Sequence, residues 1–516
     1  MRLDLAPSSW WCRATTPLVS VTALPTKPWG NVIPGKGPSS SDDVVVGPET
    51  AGSLTAKETP LGGERLHVEL KPEPLSQDVP QLGLTDSYAN MSRSMSTLPR
   101  HLLPDSSVVA PDGRLAVGGC DLIALADEYG TPLFVYDETQ LRARCREAVT
   151  AFPDGVAYAT KAFMCTAMAR LAHVEGMTLD VATGGELHIA LAAGVPADRL
   201  VFHGNNKSVA ELQMALEAGV GRIVIDSFDE IERLEHLVAA GLPGPTVLIR
   251  VNPGVEAHTH EFLQTGAYDS KFGISIVDGN AMRAIDRARA SFDFAGIHAH
   301  VGSQVFDVQS FEKAVGVLGE FVAPLDIEEL SIGGGLGVAY VEGESAPTIT
   351  EWGEAVRRAV ATTGIEAKVT AEPGRAIVAQ SAVTLYTVGT IKEIPGVRTY
   401  ASVDGGMSDN PRPILYGSGY ESFLPRATDA DRPMHIRVVG KHCESGDVVV
   451  WDGTVPEDLG VGDILATPVT GAYGHSMGSN YNKVLRPAVV FVADGRARLV
   501  VRRETYEDLL ITDADL

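Results

Sequence analysis

The chain has 516 residues, 44% of them hydrophobic, an ordinary proportion for a globular protein with room for two or three domains. A formal net charge of −24 argues against nucleic acid or an anionic membrane as partner, though local sites can still oppose the overall field and hold small anions. No apolar run reaches the roughly eighteen residues of a membrane span, and five irregularly spaced cysteines (Cys12, Cys120, Cys145, Cys165, Cys443) form neither a disulfide framework nor a metal pattern, so a cytoplasmic location is expected.

Residues 1–100 hold twelve of the 31 prolines, mixed with Gly and Ser, and no helical or alternating pattern lasts there. Such a stretch buries too little apolar surface to offset its ordering entropy, so a disordered N-terminal extension is expected. Around Trp10, Trp11 and Pro17 there is no compact apolar core of a secretory leader. A start codon placed too far upstream would also account for the stretch, since Met91 and Met95 immediately precede the first organised sequence.

From about 135 to 385 short apolar runs alternate with amphipathic stretches of helical length. The runs are "VAYAT" (156–160), "TLDVAT" (178–183), "LVFHG" (200–204), "RIVIDS" (222–227), "TVLIRV" (246–251), "AGIHAHVG" (295–302), "ELSIGGG" (329–335) and "KVTAEPG" (368–374). Between them, pieces such as "SVAELQMALEAGV" carry apolar residues at three- and four-residue intervals and end near Gly. Eight strand–helix units predict parallel pairing and a (β/α)8 barrel. A doubly wound open sheet would need a nucleotide-type switch point, which is not found. Beyond about 390, "HIRVVGKHC", "DVVVWDGTV" and "AVVFVADGRARLVVRRE" alternate with period two around Gly and Asp-Gly turns. An antiparallel β-domain is expected over 386–516, completed by strands within 105–134.

Barrel active sites form at the C-terminal ends of the strands. Those ends carry Lys161, Asp180, His203, Arg250, His300, Gly333 to Gly335, Glu372 and Arg375. Each has an ordinary reading: "GGGLG" alone is usually a turn, and a lysine at a strand end often pairs with a carboxylate. His298 and His300 alternate, so only one is expected to point inward. Taken together the types describe one ligand. Bare glycines let backbone N–H groups approach a phosphate, with Ser303 and Arg375 as further donors. A lysine at an apolar mouth can lose its proton and bond to an aldehyde. Glu372 would keep a pyridine nitrogen protonated, and His300 would stack on its ring. Those features describe pyridoxal 5′-phosphate.

The chain from about 105 to 512 resembles the diaminopimelate decarboxylases, a fold-type III pyridoxal-phosphate family. The segments that carry the resemblance are "YATKAF", "DVATGGEL", "FHGNNKS", "HEFLQTGAYDSKFGI", "HAHVGSQ", "SIGGGLG", "AEPGRAIVA", "DGGMSDNPRPILYG", "CESGD" and "GAYGHSMGSNYN". The resemblance implies decarboxylation of meso-2,6-diaminopimelate to L-lysine. It makes Lys161 the Schiff-base lysine, with Asp180, His300, Ser303, Gly335, Glu372, Pro373, Gly374, Arg375 and Tyr473 around the cofactor. Arg375, Arg412, Tyr416, Glu444 and Tyr473 would hold the substrate, and Cys443 would donate the proton. It also implies a homodimer in which Cys443 and Glu444 enter the partner's site.

Ornithine-type decarboxylases are the nearest alternative, but an amine-ended substrate needs no distal cation. Arg412 beside Tyr416, together with Glu444, suits an end group carrying both a carboxylate and an ammonium. A non-catalytic pyridoxal-binding regulator would typically lack the lysine or the cysteine, and both are present. A racemase of the same barrel type does not suit "CESGD" and "HEFLQTG". The polar segment at 258–273 is expected to act as a mobile lid that excludes water.

Overall fold

The computed structural model describes residues 97–254, 269–300 and 302–515. The expected disorder of the N-terminal extension and most of the expected lid therefore lie outside the described residues.

All eight expected barrel strands form: Ala157–Ala159, Thr178–Val181, Leu200–Phe202, Arg222–Ile225, Thr246–Asn252, Asp293–His298, Glu329–Ser331 and Lys368–Thr370. Each pairs in parallel with the next, and a short strand, Ile274–Ser275, adds to the fifth. The ring closes through a parallel bridge between Val156 and Ala371, where the Ala157 N–H donates to the Ala371 carbonyl at 2.8 Å. The connecting helices begin where the sequence supplies caps. Ser208 and Thr348 each form a reciprocal capping box with the glutamate three residues on, Glu211 and Glu351. Thr183 and Ser227 cap the next-door helices through one bond each. Apolar side chains such as Leu179, Phe202, Ile223 and Ile249 are fully buried. Burial of that kind is worth about 1.5–3 kcal/mol per large side chain and is what holds the strand ends in place.

A second sheet runs in the order Val448–Val455, Met434–Val439, Arg398–Val403, Ala382–Ile394, Leu133–Asp137, Ala488–Ala493, Arg496–Val501, with Ile464–Pro468 also on Ala382–Ile394. The strand preceding the barrel, Leu133–Asp137, thus sits inside this sheet, and all five of its residues are buried. The hairpin at Asp494-Gly495 forms as expected, with both residues at positive φ (51° and 70°). Two pairings depart from the antiparallel expectation: Leu133–Asp137 with Ala488–Ala493, and Arg398–Val403 with Met434–Val439, are parallel. Parallel neighbours need a long crossover in place of a hairpin. The second of these crossovers is residues 404–433, the stretch that carries Arg412. The strands at Val108–Val109, Leu115–Val117 and Cys120–Asp121 form a separate three-stranded antiparallel sheet.

Candidate active site

The barrel mouth opens into a cavity of about 380 Å³. Lys161, Asp180, His300, Ser303, Gly335, Glu372, Pro373, Gly374, Arg375, Arg412, Tyr416 and Tyr473 all line it, as the sequence reading expected. Four Lys or Arg side chains (Lys161, Arg250, Arg375, Arg412) face two carboxylates (Asp180, Glu372) there. The cavity therefore runs against the acidic whole and favours an anionic ligand.

Lys161 sits in a single 3-10 turn, Thr160–Ala162, directly after the first barrel strand. The Thr160 hydroxyl pins that turn by donating to the Asp180 carbonyl at 2.7 Å. The lysine is walled in by the barrel yet keeps surface open to the cavity. Its charge state differs from the expectation of an amine made easy to deprotonate. Burial is the largest single influence and pulls its pKa down, but Asp180, Tyr473 and Glu372 together turn the net shift upward. The apolar strand positions the amine; it does not discharge it.

Glu372 is held by several neighbours at once. His298 Nε2 is hydrogen-bonded to its Oε2 at 3.0 Å, and the Ser331 hydroxyl donates to Oε1 at 3.0 Å. His203 Nε2 lies 3.1 Å from Oε1 as an ion-pair contact. Burial alone would raise this carboxyl, yet His203 and His298 outweigh it and hold Glu372 well below the usual carboxylate range. Burial likewise opposes protonation of His203, but Asp180 and Glu372 carry its pKa upward. At His298 burial wins and the pKa falls.

Both His298 and His300 line the cavity, which corrects the expectation that only one would face in. Strand alternation holds only while the strand lasts, and this one ends at His298. His300 lies past that end, where its Nδ1 accepts from the Gly334 N–H at 3.1 Å. Burial, then Lys161 and Arg250, pushes the His300 pKa well below its ordinary value, leaving a neutral, flat imidazole.

The anion-binding side is built by close approach. A Cβ on Gly334 would collide with the Glu372 carbonyl oxygen, and one on Gly335 with that of Gly302. Only glycine lets this loop lie so near the neighbouring strand end, and Gly335 also takes φ +115°. Ser303 Oγ accepts from Arg375 Nη2 at 2.9 Å, while the buried Arg375 Nε has no hydrogen-bond partner among the described residues. A bare glycine cradle, a hydroxyl and a partly uncommitted guanidinium fit a phosphate. Together with Lys161, His300 and Glu372 they fit pyridoxal phosphate.

Arg412 and Tyr416 lie one helical turn apart on the short helix Arg412–Tyr416 and so share a face. Pro411 and Pro413 start that helix and Gly417, at φ +61°, ends it. Arg412 Nη1 donates to the Tyr420 hydroxyl at 2.6 Å. Tyr473 takes the left-handed conformation at φ +67°, its N–H donating to the Ala162 carbonyl at 2.7 Å beside Lys161. Cys443 and Glu444 do not line the cavity and are exposed.

Sequence reasoning gave no role to His298, Tyr340, Tyr420 or Ser331, and left His203 and Arg250 as bare strand-end residues. The polar "HAH" at the end of an apolar strand was a signal for His298; nothing local marks Tyr340 or Tyr420.

The pyridoxal-dependent decarboxylase family, pyridoxal binding domain, matches residues 138–379. The chain is 48% identical over 422 residues to the diaminopimelate decarboxylase of Mycobacterium tuberculosis (strain ATCC 25618 / H37Rv), covering 77% of this chain and 94% of that one. It is 46% identical over 419 residues to the diaminopimelate decarboxylase of Bacillus subtilis (strain 168), covering 78% and 95%. The crystal structure of the M. jannaschii diaminopimelate decarboxylase in complex with L-lysine superposes with a TM-score of 0.73 at 33% identity, over 80% of this chain and 98% of that one.

Proposed function

Because the chain belongs to the diaminopimelate decarboxylase family, we propose that it converts meso-2,6-diaminopimelate to L-lysine and CO2 with pyridoxal phosphate, the last step of lysine synthesis by that route. The observation that carries this reading is the cavity itself, where Lys161, the Glu372 clasp and the glycine cradle meet Arg412.

When bound, pyridoxal phosphate supplies an aldehyde for amine condensation and an electron sink for the pair released as CO2 departs. Lys161 would hold the cofactor covalently, and Ser303, Gly335, Gly374 and Arg375 its phosphate. Glu372, kept ionised by two histidines, is suited to hold a proton on a ring nitrogen. Neutral His300 presents a flat face, and Asp180 keeps charge beside Lys161. Arg412, with Arg375, Tyr416 and Tyr473, would take the carboxylate at the unreacted end of the substrate, and Glu444 its ammonium. Cys443 would return a proton to the carbon that lost CO2.

Cys443 and Glu444 lie outside their own chain's cavity, which supports a homodimer in which each chain completes the other's site. The barrel over 135–385 would then bind the cofactor, and the β-domain of 105–134 and 386–516 would supply the partner-facing groups. Among the described residues no helix is long and apolar enough to cross a membrane, in keeping with a cytoplasmic enzyme.

The test is production of CO2 and L-lysine from meso-diaminopimelate by the purified, pyridoxal-phosphate-loaded chain. Lys161→Ala is expected to lose both the cofactor's visible absorbance band and turnover. A loaded protein that releases CO2 from ornithine but not from diaminopimelate would overturn the reading.

A further inference from the structure

Arg375 and Arg412 stand together on one wall of the cavity, both nearly fully buried. Two guanidinium groups confined in a medium of low dielectric repel each other, so something must hold them side by side. Among the described residues their side-chain hydrogen bonds go to hydroxyls: Arg375 to Tyr340 at 2.7 Å and Ser303 at 2.9 Å, Arg412 to Tyr420 at 2.6 Å. Tyr340 serves both cations at once. Its hydroxyl accepts from Arg375 Nη1, and its ring face carries the Arg412 guanidinium 4.2 Å from the centroid. The ring is itself fixed, 4% exposed and edge-on to Tyr420 at 5.3 Å. The Nε of each arginine has no hydrogen-bond partner among the described residues. A neutral side chain thus separates and orients two forks while leaving donors uncommitted.

We propose that Tyr340 is a specificity-determining positioning residue: it sets the spacing of Arg375 and Arg412 so that both address one ligand carboxylate. The proposal rests on the diaminopimelate reading and deepens it. The carboxylate in question is the one at the unreacted end of the substrate, which L-lysine retains and cadaverine lacks. Tyr340 would then govern the discrimination between those two amines without touching the reacting atoms.

The measurement is calorimetric binding of L-lysine and of cadaverine to the pyridoxal-phosphate-loaded full chain, wild type, Tyr340→Phe and Tyr340→Leu, alongside steady-state kinetics. Tyr340→Leu removes both contacts and is expected to cost L-lysine about tenfold or more in affinity while leaving cadaverine unchanged. Tyr340→Phe keeps the ring under Arg412 and loses only the acceptor for Arg375. About a threefold loss for L-lysine is expected, with KM for diaminopimelate raised and kcat little changed. The proposal is overturned if the wild type does not prefer L-lysine, if the variants keep the wild-type ratio of the two affinities, or if both ligands weaken equally. Should Tyr340→Leu fail to fold, Tyr340→Phe decides by the same ratio. A wild type that binds L-lysine selectively yet releases no CO2 from diaminopimelate would sink the decarboxylase reading alone, because the binding ratio still decides Tyr340.

Discussion

At the barrel mouth, Lys161, Glu372, Arg375 and Tyr473 come from distant parts of one chain and converge on one cavity. At residues 440–447 the arrangement is reversed: Cys443 and Glu444 face solvent while His442 and Asp447 beside them are buried. That turn is nevertheless firmly held. Asp447 accepts from the Met407 N–H at 2.6 Å and the His442 N–H at 2.8 Å, and pairs with His442 Nδ1 at 2.9 Å. His442 stacks on Tyr481 with centroids 5.6 Å apart, and the Cys443 N–H donates to Asn482 at 2.8 Å. A thiol presented outward from a rigid base is what delivery to another surface requires. One region closes a pocket on its own chain, and the other holds its thiol away from that pocket.

The sharpest way to break this comparison is complementation. Cys443→Ala is expected to lower kcat by roughly 10²–10⁴-fold, the usual range for a lost general acid. Mixing it with Lys161→Ala under conditions of subunit exchange should restore activity to about a quarter of the sites, those pairing an intact Lys161 with an intact Cys443. If the mixture stays as inactive as its parts, Cys443 does not act across an interface.

A smaller effect probes the finished pocket. His203 helps hold Glu372 ionised, so His203→Gln should raise the Glu372 pKa. The acidic limb of kcat/KM against pH then moves to higher pH, with about a tenfold loss at the acidic end and less near neutrality. An unmoved limb would mean that His298 and Ser331 suffice.

The smallest effect concerns the base beneath the Cys443 turn. Asp409 accepts from the Gly406 N–H at 2.8 Å and from the Tyr386 hydroxyl at 2.6 Å, and burial pushes its carboxyl up to about 7. Between the unfolded value of about 3.9 and about 7, the folded chain therefore holds a proton that the unfolded chain has released. Stability must fall as pH rises through that window. Asp409→Asn should remove a fall on the order of 2 kcal/mol between pH 5 and pH 8, measured by urea unfolding. An identical fall in the variant would show that Asp409 is already ionised in the folded state.

Much of this was legible in the order of residues. Eight apolar runs at helical spacing lead to the barrel, and the barrel places Lys161, Glu372 and the glycines at one end, because period and polarity are local properties. The two parallel pairings of the second sheet were not legible. Alternation in a strand says which face is apolar and nothing about which neighbour it meets.

The sequence by itself determined which residue types stand at each strand end, and so the kind of ligand the mouth accepts. Tertiary structure alone decided three further matters. His298 joins His300 in the cavity because the strand stops between them. The Lys161 pKa is carried upward against burial because Asp180, on the neighbouring strand, Tyr473 and Glu372 together surround it. Tyr340 lies between Arg375 and Arg412 although 35 and 72 residues separate it from them, as their numbers show. Each depends on contacts between groups far apart in the chain, and such contacts exist only once the strands and crossovers have packed.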